Sequence, residues 1–510
     1  MDSRSILILA TMIVYLVGVV GIGVWFSNKN KSAGDFYLGG RRLGPLVTAM
    51  SAEASDMSSW LLMGLPGVAL LAGVPEAVWT AIGLAVGTYL NWLIVAKRIR
   101  NYSSHIGATT IPEFFSKRFH DEKHILSLIA AVVIVVFFVP YTASGFNACG
   151  TLFSSLFGVN YLTAMLIAAV VITVYTTLGG FMAASTSDFV QSVVMTIALI
   201  VVVFFGISAA GGWSAVVSNA QSLPGYLNLT QGYDAATGTA ASYNGLTIAS
   251  TLAWGLGYFG MPHILLRFMA VKEPEKLVLS RRVATVWVVI SMGVAVLIGI
   301  IGNAMISAGA LEALSSSDSQ RIIIKIAELI STHGVLPAIV AGVILSGIMA
   351  ATMSTADSQL LAAASSVSQD IVRDTFGVKL SDEASIRIAR CTVVVIAVVA
   401  MIWARNEGSV FTIVSFAWAG FGAAFGPVVL LALFWKRSNK WGALAGMVTG
   451  GAMVFIWKYG VRPMGGLLDI YELLPAFLFA IVADVIVSLA TAAPDASIEK
   501  EYDEVAAMRD

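Results

Sequence analysis

The sequence predicts an all-α polytopic membrane protein of about 13 transmembrane helices, and three observations carry that reading. First, the 510 residues are 58% hydrophobic and only 12% charged, about half the charged share of an ordinary soluble domain. Second, apolar runs of roughly the 20 residues that a helix needs to cross the hydrocarbon core recur along the whole chain. Third, the Lys and Arg residues between those runs fall mostly on alternate connections, as the positive-inside rule requires.

The first run, Ser5 to Phe26, lacks a small-residue cleavage site and reads as a span rather than a removable signal. Twelve more follow at about 45–72, 75–96, 125–155, 161–182, 188–210, 245–270, 284–307, 334–370, 388–404, 409–435, 441–457 and 471–493. With the N-terminus outside, 24 of the 30 basic residues fall inside, from Lys29, Lys31, Arg41 and Arg42 through Arg267 to Arg509. Arg4, Arg321, Lys325, Arg405, Lys458 and Arg462 fall outside, and the 211–244 connection carries no Lys or Arg. No connection is long enough for a soluble domain. A net charge of +0 argues against a nucleic-acid partner. Cys149 and Cys391 both sit in apolar runs; packing is the expected role, and no disulfide framework is implied.

Two spans are interrupted. The second reads Ser51-Ala-Glu-Ala-Ser-Asp-Met-Ser-Ser-Trp60 and then Gly64-Leu-Pro-Gly67. The seventh reads Trp254-Gly-Leu-Gly-Tyr-Phe-Gly-Met-Pro262. Unwound backbone at membrane depth is tolerated only where it lines a cavity or is buried in protein. The breaks lie five spans apart, the spacing of two inverted five-helix repeats (spans 2–6 and 7–11) with a solute held between them. Simple proline kinks would explain the breaks, but not the acid and hydroxyl cluster beside the first.

Asp56 is the sharpest residue, because a carboxylate at a helix centre costs roughly 2.5–3.5 kcal/mol and needs a polar partner. The ninth span supplies hydroxyls in Ala351-Thr-Met-Ser354-Thr355-Ala-Asp357-Ser358. Ala351, Ser354 and Ser358 share one helical face, with Thr355 and Asp357 at its margins. Hydroxyls together with carbonyls freed by an unwound helix are what a dehydrated Na⁺ requires. Small residues at these positions equally suit close helix packing. Trp254 and Tyr258, four apart and flanked by glycines, fit a pocket wall, with Trp60 and Tyr141 near the breaks. Such a wall suits a small amphipathic amino acid.

At these residues the sequence resembles the sodium/solute symporter family, and within it the bacterial sodium/proline symporters. The resemblance runs from Asp35-Phe-Tyr-Leu-Gly-Gly-Arg41 to the thirteenth span. Its most specific stretches are Ser55-Asp-Met-Ser58 with Trp60 to Gly67, Trp254 to Gly260 with Pro262 to Leu265 and Arg267 to Ala270, Met353-Ser-Thr355, and Ala417 to Pro427. It implies a LeuT-type fold and sodium-coupled import of L-proline by alternating access, with Na⁺ as the co-transported ion. It implies a multi-pass protein of the bacterial inner membrane, with an external N-terminus, a cytoplasmic C-terminus, and the lipid bilayer as its surroundings. The implied organisation is a first helix and cytoplasmic loop (1–44), a transporter core (45–435), two further helices (436–494) and a cytoplasmic tail (495–510).

For the sites, the resemblance implies sodium ligands at Ala54, Met57, Ala351, Ser354 and Thr355, with Asp56 needed for coupling. It implies a proline pocket of Trp60, Tyr141, Trp254, Tyr258 and Pro262. Asp188, opening the sixth span, matches an acid linked to inward sodium passage; a helix N-cap is the alternative. Asp188, Ser354, Asp357 and Ser358 form a candidate second cation site. The sequence departs from the proline symporters at Glu53 and Ser59, both glycine there, at Met261, usually glutamine, and at Asp357, usually small and polar.

Rival readings share or lack this machinery. The runner-up is the same symporter with another small amino acid, a carboxylate or a sugar as its solute. A transporter-like membrane sensor would need a fused signalling module, and about sixteen residues follow the last span. A channel would show a repeated filter or a ring of like charges. An enzyme would need a catalytic constellation, and of the five His only His263 is expected near the core.

Overall fold

A computed structural model describes residues 2–27 and 32–508. Lys29, Lys31 and Arg509, counted above on the inner side, lie outside the described residues. Among those described, ten helices are long and apolar enough to cross a membrane. The difference from thirteen has physical causes. Tyr161–Ala209 is one run of 49 residues, ~73 Å at the α-helical rise and more than twice a bilayer core of ~30 Å. Gly180 breaks it at φ 72°, ψ −176°, a conformation that a side chain would strain, so the run serves as the fifth and sixth spans. The second and seventh spans fall out of the count because neither is one helix. The second joins Pro45–Ser59 to Leu65–Ala72 through a widened turn at Trp60–Gly64. The seventh joins Gly245–Leu252 to Pro262–Ala270 through a tight turn at Ala253–Gly260.

Helix ends are marked where the sequence supplies caps. Asn160, Asn244, Ser381 and Asn439 accept the first free N–H groups of the fifth, seventh, tenth and twelfth spans. The outer surface of the bundle is apolar, with Val14, Phe204 and Leu336 each at least 70% exposed, as lipid contact demands. The departure from an all-helical chain is a two-stranded hairpin, Gln231–Asp234 with Thr239–Ser242, in the 211–244 connection. Cys149 is buried, as packing requires, but Cys391 is exposed on the tenth span, so the expected packing role holds for only one of the two. The apolar run around Cys391 marks a lipid face, which composition alone does not separate from core.

The connections gather at two ends. At one, Tyr226 donates its hydroxyl to the Ala69 carbonyl at 2.7 Å, Arg321 meets Glu407 at 2.7 Å and Tyr161 reaches the Ala404 carbonyl at 2.8 Å. At the other, Arg41 donates to the Met269 and Ala108 carbonyls, Thr110 donates to Asp370 and Arg118 donates to the Ala432 carbonyl. The helix Ala496–Ala507 lies at this second end, where Glu501 and Glu504 meet His120 and His105 at 3.0 and 3.2 Å.

The seventh span is gripped from two sides by backbone crossings. A Cβ on Gly87 would strike the Gly255 carbonyl, and one on Gly255 would strike the Gly83 carbonyl. On the eleventh-span side, a Cβ on Gly257 would strike the Trp418 indole. Gly293, by contrast, has nothing within 4 Å. Gly87→Val is therefore expected to cost about 2 kcal/mol or more through overpacking. Gly293→Ala is expected to be neutral or to stabilise by up to about 1 kcal/mol. Thermal unfolding of the purified protein checks this; equal melting temperatures for the two variants would contradict the crossing.

Candidate functional site

The two breaks build the site. In the second span Ser58 takes φ 46°, ψ −173°, outside the helical region and rare for a residue with a side chain. The Ser58 hydroxyl turns back to accept the Trp60 N–H at 3.1 Å. In the seventh span Met261 is extended at φ −76°, ψ 109°, and Pro262 opens the next helix, where its missing N–H costs nothing. The breaks meet directly. The Tyr258 hydroxyl donates to Asp56 Oδ2 at 2.6 Å, and the Tyr141 hydroxyl donates to the Asp56 carbonyl at 3.1 Å. The Trp60 and Trp254 rings lie 5.5 Å apart. Among the described residues Asp56 Oδ1 has no hydrogen-bond partner.

Beside Asp56 lies a group of buried oxygens. The Ser354 hydroxyl donates to the Ala54 carbonyl at 2.8 Å. The Ala351 carbonyl lies 3.2 Å from the Ser354 hydroxyl and 3.1 Å from that of Thr355. Ala54, Ala351, Ser354 and Thr355 thus form one connected set, and Met57 adjoins it along the chain, its carbonyl facing the Trp60 N–H. Neutral hard oxygens next to a carboxylate are chemically suited to an alkali cation.

A cavity of about 10 Å³, roughly the room of one water, adjoins this set, with Asp56, Trp60, Tyr141, Trp254, Val414 and Trp418 among its walls. Three of the five residues expected to form a pocket therefore line it. Tyr258 is one layer back, bonded to Asp56 and packed edge-on against Trp418 at 5.1 Å. Pro262 does not reach the wall, because it is buried at the start of the helix beyond the break. Phe411 covers Trp60 and Trp254, with ring centroids 5.9 and 5.4 Å away.

Several participants were not legible in sequence. Trp418, Val414 and Phe411 belong to a continuous apolar run in which lining and core positions look alike. Trp418 donates its indole N–H to the Trp254 carbonyl at 2.7 Å. Glu53, one of the departures noted above, accepts the Trp92 indole N–H at 2.9 Å.

Arg267, counted on the inner side by its charge, is buried, and its guanidinium enters the core. It lies 3.1 Å from Asp188 Oδ2 and 3.0 Å from the Ser51 hydroxyl, and it also bonds the Ser358 hydroxyl. Ser358 in turn lies 3.1 Å from Asp357 Oδ1 and 2.8 Å from the Ser354 carbonyl. Asp188, Ser354, Asp357 and Ser358 are thus one cluster, centred on a tethered cation. Asp188 is eight residues past the Gly180 break, inside the helix rather than capping it.

Comparison with known proteins places the whole chain in a family. The family model described as the sodium:solute symporter family matches residues 36–450. The chain is 40% identical over 503 residues to the sodium/proline symporter of Escherichia coli K12, covering 97% of this chain and 95% of that protein. It is 39% identical over 494 residues to the osmoregulated proline transporter OpuE of Bacillus subtilis, covering 96% of each. Among solved structures, a Na⁺-coupled sialic acid symporter in an outward-open state superposes with a TM-score of 0.78 at 18% identity, over 96% of this chain and 99% of that one. MhsT in complex with L-phenylalanine superposes with a TM-score of 0.53 at 13% identity, over 88% and 99%. These two likenesses establish a LeuT-type transporter fold. With a family model covering most of its length and relatives near 40% identity end to end, this multi-pass membrane protein belongs to the sodium:solute symporter family.

Proposed function

We propose that the chain is a sodium-coupled secondary transporter that imports L-proline by alternating access. The observation that carries the reading is the junction of the two broken helices. There Asp56, bonded to Tyr258, separates a cluster of neutral oxygens from an aromatic cavity. Relatives named sodium/proline symporters, similar over almost the whole chain, supply the choice of solute. In this reading sodium binds at the carbonyls of Ala54, Met57 and Ala351 and the hydroxyls of Ser354 and Thr355. Asp56 balances its charge. Proline rests against Trp60, Tyr141 and Trp254, a contact of apolar ring with aromatic faces. Because the two sites share Asp56, each ligand favours the other.

The same reading divides the chain into a core at 45–435, flanked by a first helix with its loop at 1–44, two helices at 436–494 and a tail at 495–510. It sets the protein in the bacterial inner membrane with the N-terminus outside and the end bearing Arg41, Arg100 and Arg118 in the cytoplasm, following the positive-inside rule. A tenfold sodium gradient supplies about 1.4 kcal/mol, and 100 mV adds about 2.3 kcal/mol per charge. One sodium per proline therefore supports accumulation of a few hundredfold.

A second cation site in the inner cluster is the alternative stoichiometry. Asp188 Oδ1 and Asp357 Oδ2 have no hydrogen-bond partner among the described residues, and the Arg267 guanidinium meets Asp188 directly and Asp357 through the Ser358 hydroxyl.

Three outcomes test these readings in proteoliposomes. Asp56→Asn, or Ser354→Ala with Thr355→Ala, is expected to raise the sodium concentration for half-maximal proline uptake at least tenfold; uptake that survives replacement of sodium by choline at constant pH refutes the sodium reading. Tyr141→Ala and Trp254→Ala are each expected to weaken proline binding by more than about 1 kcal/mol, and failure of excess proline to compete with the transported solute would refute the choice of proline. The voltage that nulls net flux reads charge per proline: two charges, falling to one in Asp357→Ser, support the inner site, whereas one charge in both proteins removes it.

A further inference from the structure

The Trp254 carbonyl lies in the unwound part of the seventh span, at a depth where lipid offers no donor. Its partner is the Trp418 indole N–H from the eleventh span, at 2.7 Å. The same indole packs edge-on against the Tyr258 ring at 5.1 Å and forms part of the cavity wall. Trp418 is 2% exposed, and it reaches this position because Gly257, between Trp254 and Tyr258, has no side chain to block it.

One side chain therefore braces two residues with different duties. Trp254 is a wall of the cavity, stacked on Tyr471 at 5.2 Å and lying 5.5 Å from Trp60. Tyr258 holds Asp56 Oδ2 at 2.6 Å, and Asp56 is next to Met57 and two residues from Ala54 along the same helix. A shift of the Trp254 wall to fit a solute must carry the Trp418 indole with it or stretch a buried hydrogen bond, and a buried donor left unbonded is costly. The indole bears directly on Tyr258, and Tyr258 bears on Asp56.

We propose that Trp418 is a positioning residue that couples the solute cavity to the cation site, transmitting the fit of the Trp254 wall to the Tyr258–Asp56 pair. The proposal rests on the sodium-coupled reading above. It assigns Trp418, beyond its place in the cavity wall, a part in the effect of one ligand on the other. That mutual effect is a single thermodynamic factor, the same whether read from proline or from sodium.

The test measures labelled proline binding to the purified full chain at low and saturating sodium. The ratio of the two proline dissociation constants is the coupling factor. The wild-type protein is expected to show at least a tenfold factor. Trp418→Phe keeps a ring and loses the N–H; its coupling factor is expected to fall at least fivefold, whatever change the altered cavity wall brings to proline binding at low sodium. Trp418→Tyr, which also lacks an indole N–H, is measured alongside so that misfolding of one variant leaves the other to decide. A uniform weakening of proline binding at both sodium concentrations, with the wild-type factor kept, marks a merely structural tryptophan and overturns the proposal. Proline binding by the wild-type protein that ignores sodium fails the sodium-coupled reading itself, a result distinct from retained coupling in the variants.

Discussion

A helix that breaks inside the hydrocarbon region frees carbonyl groups that lipid cannot satisfy, at a cost of several kcal/mol each, and the core of this protein is organised around meeting that demand. Four carbonyls at the breaks take donors from other spans. The Ala54 carbonyl takes the Ser354 hydroxyl, and the Asp56 carbonyl takes Tyr141. The Trp254 carbonyl takes Trp418, and the Tyr258 carbonyl takes the Asn91 side-chain amide at 3.0 Å. The ninth, fourth, eleventh and third spans are thereby drawn onto the two breaks. Glycines at 83, 87, 255 and 257 remove the side chains that would hold these spans apart.

The same economy governs the charges. Near the breaks, Asp56 and Glu53 are held by a phenol and an indole, neither of which carries a charge. Further along the second span, Ser51 and Asp188 meet the guanidinium of Arg267. One acidic region is thus left without a fixed countercharge and the other has a tethered one. A dry interior favours a cation beside an unpaired carboxylate, and it is on this contrast that the proposed sodium site at Asp56 rests.

The meeting of the two breaks also shapes how the protein can move. Aromatic rings of Trp60, Trp254 and Phe411 form a layer between the small cavity beside Asp56 and a larger one, of about 490 Å³, that Gly64, Gln320, Arg321 and Phe411 help to line. Broken helices are short and can tilt independently of their outer halves, which is how a fold of this kind exposes a central site to one side at a time.

The sequence by itself determined the class of fold, the number of crossings once breaks are allowed for, and which two spans are interrupted. These are properties of runs: apolar length, basic residues on alternate connections, and clustered Gly and Pro all act locally and survive without knowledge of neighbours. It also marked Asp56, because an acid in an apolar run is costly wherever it points. Only the tertiary structure decided which residues meet. Trp418 and Val414 line a cavity while neighbours in the same apolar run pack as core, and Cys391 faces outward while Cys149 is buried. Arg267 reads as a loop charge in sequence, but in the fold it turns inward to Asp188, 79 positions away. In a membrane protein both the lipid face and the core are apolar, so composition cannot separate them; direction is set by the contacts between helices distant in the chain.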